Sequence, residues 1–254
     1  MKNITMYMVT HKSVDFVPED RTPIFVGKGN NSDNYISDNT GENISDKNSN
    51  YCELTALYWI WKNDKKSEYI SIEHYRRFFM RKWNLFPVIC SKENMLKILK
   101  KYDVITSSFS LYGITNAEYY RQRHYESDME EIRKTITRFY PDYIESFDSV
   151  MTDNKLPMFN MFSLKKSYFD SYCEWLFTIL FDVEKKITFD DRTNYQKRVF
   201  GFLSERLMEV WIKKNALKAY RTPIYRYDEA IIKTFLQSEK NRIPKKFTPI
   251  TPRR

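Results

Sequence analysis

The order of strand-like and helix-like stretches predicts an α/β domain with a mainly parallel central sheet flanked by helices. Three observations carry this. Short runs of β-branched and aromatic residues recur along the chain, as in Ile4–Val9 and Tyr69–Glu73. Longer stretches between and after them repeat their apolar residues at helical spacing, most plainly Val199, Phe202, Leu203, Leu207, Val210 and Trp211. The length of 254 residues suits one large domain with a substantial core.

Taken in order, Ile4–Val9 reads as a first strand closing on Thr10-His11-Lys12. Residues 13–50 read mostly as loop around a short strand at Pro23–Val26, and residues 29–50 are dense in Asn, Asp, Ser and Gly, the residues of turns. So long a polar loop inside a domain is either mobile or functional. Asn50-Tyr-Cys-Glu53 has the spacing of a capping box, with Asn50 as cap and Glu53 reaching back, ahead of an aromatic-rich helix over Leu54–Lys62. A third strand at 69–73 hands over to His74-Tyr-Arg-Arg77. Ser91–Lys101 is an amphipathic helix and Asp103–Thr106 a short strand. Ala117–Phe139 reads as helix in two pieces, broken by Pro141 before another at 142–151. Met158–Leu164 is an expected strand, followed by helices over 167–186 and 194–214. Leu217–Tyr227 contains a strand, and Glu229–Lys240 is a last short helix. Residues 1–240 thus form the domain, and 241–254 a basic, proline-containing tail.

The net charge of +9, from 42 basic and 33 acidic residues, favours an anionic partner: nucleotide phosphates, an acidic membrane surface or nucleic acid. No nucleic-acid module pattern is present, although Tyr119–Tyr125 mixes bases with aromatics. Three cysteines at no metal-ligand spacing read as reduced thiols of a cytoplasmic protein. The first residues lack the apolar run of a signal peptide, and no apolar run approaches membrane-spanning length. The tail carries Arg242, Lys245, Lys246, Arg253 and Arg254 without an acid, which would suit peripheral contact with anionic lipid.

The chemistry concentrates at two strand ends. If the first and third strands are parallel neighbours, His11 and His74 emerge on one rim, where open α/β sheets hold their ligands. Arg76 and Arg77 beside an imidazole suit a phosphate, because guanidinium offers a charged planar fork. No Gly-x-Ser-x-Gly, Walker loop or metal-ligand pair of histidines occurs. Nor does Asp-x-Asp, the pair that holds Mn²⁺ or Mg²⁺ on a nucleotide diphosphate in many sugar transferases, so no cofactor is expected, with Mn²⁺ or Mg²⁺ held by other groups as the alternative. Fixed cations can stabilise a departing diphosphate as a metal does. A non-enzymatic nucleotide- or nucleic-acid-binding module is the alternative reading.

Several stretches resemble a family of bacterial capsule and exopolysaccharide glycosyltransferases, a "domain of unknown function" group with some galactofuranosyltransferases among its members. They are Asp38–Asn48, Tyr51–Asn63, His74-Tyr-Arg-Arg77, Asn160-Met-Phe162, Tyr172-Cys-Glu-Trp175 and Arg198–Arg206, spread over nearly the whole chain. The resemblance implies a GT-A-like single domain with a helical C-terminal part. It also implies transfer of galactose or galactofuranose from a UDP-sugar to a lipid-linked saccharide at the inner membrane face. Thr10, His11, Lys12, Asp38, Asn39, Asn43, Ile44, His74, Tyr75, Arg76, Arg77 and Arg198 would then bind the donor, and His124 and Asn160 the acceptor. An inverting transfer needs a carboxylate base, for which Asp128, Asp191 and Glu205 are candidates that the sequence does not separate.

Overall fold

The computed structural model describes residues 3–81, 88–108, 110–111 and 113–227. The strands among them are β1 (Ile4–Thr10), β2 (Thr22–Phe25), β3 (Ile36–Ser37), β4 (Tyr69–His74), β5 (Arg77–Phe79), β6 (Val104–Ser107), β7 (Phe162–Lys165), β8 (Ala219–Thr222) and β9 (Ile224–Arg226). The helices are α1 (Asn48–Tyr51), α2 (Leu54–Asn63), α3 (Lys92–Leu99), α4 (Asn116–Arg121), α5 (Glu126–Phe139), α6 (Ile144–Thr152), α7 (Lys166–Glu184) and α8 (Val199–Lys214). The expected helix at Glu229–Lys240 and the basic tail lie outside the described residues.

The main path of the sheet runs β3-β2-β1-β4-β7-β6-β8, with β5 and β9 paired off it beside β4. All neighbours on this path are parallel except those of β7, which runs antiparallel to both β4 and β6. The main path is therefore parallel with one reversed strand, and off it β5 runs antiparallel to both β4 and β9. Thr10 pairs with Phe25, and Val9 with His74, so β1, β2 and β4 end on one rim. Because β7 is reversed, its first residue Phe162 faces Ile72 and Thr106, and residues 158–161 are delivered to that same rim.

Layers cover both faces. The larger core packs Tyr7, Val9, Ile70, Ile72 and Phe162 against α2, α5, α6, α7 and α8. Its helices bury long apolar faces, as α7 does with Phe169, Tyr172, Leu176, Ile179, Leu180 and Val183. The smaller core sets Ile4, Met6, Tyr69, Ile105 and Met161 against Met95 and Leu99 of α3, whose first turn Ser91 caps. A buried ion pair ties the loop before β2 to β4: Arg21 Nε donates to Glu73 Oε2 at 2.5 Å, with the Arg21 and Glu73 side chains 1% and 0% exposed.

Three expectations need correction. The capping box at 50–53 is absent: Glu53 is the α2 N-cap residue but makes no side-chain cap, and Asn50 donates to the Lys197 carbonyl instead. The strand expected from Met158 begins only at Phe162, because Phe159 and Asn160 take left-handed conformations (φ 75° and 50°) that no strand accommodates. The polar loop contains β3, a 3₁₀ turn and α1, and is bonded along its length to α2 and α7. Trp59 Nε1 donates to the Thr40 carbonyl at 2.8 Å, Asn63 Nδ2 to the Glu42 carbonyl at 2.9 Å, and Lys47 Nζ to Glu184 at 2.8 Å.

Candidate active site

The rim is built from the ends of β1 and β4. Buried Thr10 closes a tight turn: its hydroxyl donates to the Lys12 carbonyl at 2.6 Å and accepts from the Lys12 amide at 3.2 Å. That turn lifts His11 and Lys12 to the surface beside Tyr75, the residue that follows β4. The Tyr75 ring is the centre of the cluster, with the His11 ring edge-on at 5.4 Å, Lys12 Nζ at 5.5 Å and the Arg76 guanidinium at 5.1 Å. Arg198, at the start of α8, completes it. The pKa of His11 is lowered by partial burial and then by the charges of Lys12, Arg76 and Arg198 in turn, so three cations converge on one imidazole. The charge of Glu53 in turn acts on Arg198.

Behind this lies a polar floor. His74 Nε2 donates to the Phe159 carbonyl at 2.6 Å, and the charge of Glu53 only partly offsets the burial that lowers its pKa. Asn160 Nδ2 donates to Glu53 Oε1 at 2.6 Å and to the Gly201 carbonyl at 3.0 Å, while its Oδ1 accepts from the Ser204 hydroxyl at 2.9 Å. Glu205 accepts from the Phe159 amide at 2.8 Å and from Arg206 at 3.1 Å, and burial raises its pKa despite both. Arg198 Nε donates to Cys52 Sγ at 3.2 Å. Burial pushes the Cys52 thiol up to about 11, so it stays protonated near neutral pH. Cys52 (φ 52°, ψ −129°), Phe159 and Asn160 are three left-handed non-glycine residues gathered on this floor. Backbone strain of this kind, about 1–3 kcal/mol each, collects at functional sites.

His11, Lys12, His74, Tyr75, Arg76, Arg198, Asn160 and Glu205 therefore meet around one rim. Arg77 is drawn into β5, its guanidinium 4.4 Å from the Phe159 ring centroid. Thr10 shapes the turn from a buried position. Asp38 is fully buried, with the Gly27 amide and Thr55 hydroxyl close to its oxygens but short of full hydrogen-bond geometry, and burial outweighs them to raise its pKa to about 6. It supports the loop and does not offer an oxygen at the rim. Asn43 bonds to Gly41 and Ser45 within its own turn, Ile44 is in the core, and Asn39 is exposed on that loop.

His124 stacks on Phe202 at 4.2 Å, bonds Gln196 at 3.1 Å, and is held neutral with a pKa lowered to about 4 by burial. Phe202 also receives the Arg198 guanidinium at 5.7 Å, which connects His124 to the rim. The candidate bases fare unequally. Asp128 is 1% exposed and gives both oxygens to Arg192 at 2.6 Å, a structural ion pair with no oxygen left to take a proton. Asp191 sits on an exposed turn. Glu53, which the sequence left evenly between a plain helix cap and a site residue, also stands on this floor. Its signal was its place directly ahead of an aromatic helix, which a capping box explained too readily.

No group of three or more His, Cys, Asp or Glu residues that could hold a metal stands among the described residues. The rim at the end of β4 carries the cations Lys12 and Arg76 on the Tyr75 ring. Nor does any described helix have the length and apolarity to cross a membrane.

Residues 5–216 match the family described as a domain of unknown function (DUF4422). Among solved structures, the chain is similar to the apo structure of the bifunctional glycosyltransferase WbbM, with a TM-score of 0.78 and 26% sequence identity over 90% of this chain. It spans 46% of that protein's length, a little under half. Comparison with curated proteins gives no match.

Proposed function

The chain belongs to the DUF4422 family, and from that premise we propose that it is a glycosyltransferase of the GT-A type, moving a sugar from a UDP-sugar to a saccharide acceptor. The observation that carries this reading is the grouping of His11, Lys12 and Arg76 around the Tyr75 ring at the C-terminal rim of parallel strands, with the charge of Arg198 also acting on His11. Strand ends of this kind are where α/β sheets receive nucleotides. The three cations would hold the diphosphate and neutralise the charge that develops as it departs, the task a metal performs elsewhere. The similarity to a solved glycosyltransferase supports the same class.

At finer resolution the donor is UDP-galactose or UDP-galactofuranose. The acceptor is a lipid-linked saccharide of capsule or exopolysaccharide synthesis, and transfer inverts the anomeric centre. His124 lies on the acceptor side, and Asn160, buried and bonded to Glu53, Gly201 and Ser204, braces the floor beneath it. The test is thermal stability against a panel of nucleotides and nucleotide sugars, each with EDTA and with Mn²⁺. A ligand at 100 times its dissociation constant adds about 2.7 kcal/mol, which for a chain of this size raises the midpoint by roughly 5–10 °C. A rise with UDP or a UDP-sugar that survives EDTA is expected. A rise that needs Mn²⁺ would replace the cation-only account, and a folded protein indifferent to every nucleotide would sink the transferase reading.

A further inference from the structure

Direct displacement at an anomeric carbon needs a base that can reach the acceptor hydroxyl and has an oxygen to spare. The carboxylates near the rim differ in this respect. Glu205 has both oxygens engaged, one by the Phe159 amide and one by Arg206, and its side chain is 12% exposed. Asp128 is locked to Arg192. Glu53 is half-buried, and Asn160 fixes its Oε1 while its Oε2 takes no hydrogen bond among the described residues. Its charge acts on His74, on Arg198 and on Glu205, so it lies between the cations of the rim and the floor beneath them.

The support behind it is itself braced. Asn160 is 2% exposed, and its amide must point its nitrogen at Glu53, because the same nitrogen also serves the Gly201 carbonyl, which can only accept. A carboxylate with one oxygen held by an oriented third group and the other open is the arrangement of a built base.

We propose that Glu53 is the catalytic base of sugar transfer and Asn160 its positioning residue. This rests on the glycosyltransferase reading and goes beyond it by naming the group that activates the acceptor. In the step, the acceptor hydroxyl gives its proton to Glu53 Oε2 as its oxygen bonds to the anomeric carbon. The bond from that carbon to the diphosphate oxygen breaks, and its electron pair leaves on the diphosphate beside Lys12, Arg76 and Arg198.

The test uses the full chain and three variants, Glu53→Gln, Glu205→Gln and Asn160→Asp. UDP affinity is read by calorimetry, folding by the thermal midpoint, and turnover by UDP release from the nucleotide sugar that stabilises the wild type most, with water as acceptor where no saccharide serves. Glu53→Gln keeps the acceptor for Asn160, so it should melt with the wild type. It should bind UDP as tightly or more tightly, having lost a negative charge near the diphosphate, and release UDP at least about 100-fold more slowly. Asn160→Asp should lower kcat while UDP affinity changes little. Wild-type turnover in Glu53→Gln overturns the assignment, and doubly so if Glu205→Gln is the dead variant. A joint fall in midpoint and UDP affinity in Glu53→Gln also overturns it, by making Glu53 a structural group. A wild type that binds no nucleotide instead fells the parent reading, and does so before any variant is made.

Discussion

Replacing Asp38 by Asn should stabilise the protein at neutral pH. The side chain is fully buried, only loosely approached by the Thr55 hydroxyl and the Gly27 amide, and burial outweighs them to set its pKa at about 6 against an ordinary 3.8. Between about pH 4 and pH 6 the folded chain keeps a proton that the unfolded chain has released. Stability is therefore greatest below that window and falls as pH rises through it. At 1.36 kcal/mol per tenfold step, holding the ionised form in the fold costs about 2–3 kcal/mol at pH 7.5. Asn fills the same space without a charge. The midpoint of Asp38→Asn should therefore lie about 5–10 °C above wild type at pH 7.5, and the gap should close most of the way at pH 4. Differential scanning calorimetry at the two pH values decides it. A variant no more stable than wild type at pH 7.5, or a gap of equal size at both pH values, would refute the reasoning. Either result would mean that the Asp38 carboxylate is compensated in the fold.

Two further substitutions probe the rim and the frame behind it. Arg76→Ala should cut turnover by about a hundredfold or more with the fold intact, since a preorganised cation at a departing anion is worth roughly 2–4 kcal/mol; steady-state kinetics at wild-type rate would remove the rim from the mechanism. Glu73→Ala should cost about 3–5 kcal/mol in urea unfolding, because it strands the buried Arg21 guanidinium. A loss under about 1 kcal/mol would show that Asp20 and the Cys90 carbonyl, which also bond Arg21, suffice to hold it.

How much of this was legible in the sequence depends on the range over which each signal acts. The long helices and β1, β4 and β6 could be read because apolar period and β-branching are local properties of the chain. The shared rim of His11 and His74 followed from one assumption, that their strands are parallel neighbours, and Val9 paired with His74 bears that out. Strands β3 and β5, with two and three residues, are too short to leave a period. The turn at Phe159-Asn160 was hidden because its residues look like a strand, and only tertiary contacts enforce their left-handed backbone. Asp128 illustrates the converse. Its burial depends on Arg192, sixty-four positions away, a pairing that neither residue announces. Glu53 stood undecided for a similar reason: a local pattern offered a sufficient explanation, while its partner Asn160 lies 107 positions further on.

The reversal of β7 has a consequence for how such a site can diversify. Parallel strands bring only outgoing chain to their common edge, so every loop there must also travel back across the molecule to start the next strand. The segment ahead of β7 arrives from the helical side and is clamped immediately by ladders to β4 and β6. Residues can be inserted or exchanged before Phe159 without altering the length of any return crossing, while the double clamp keeps Asn160 at a fixed height above the sheet. A lineage could thus remodel the floor under the incoming sugar and leave the nucleotide side untouched, which separates the inheritance of donor chemistry from that of acceptor choice.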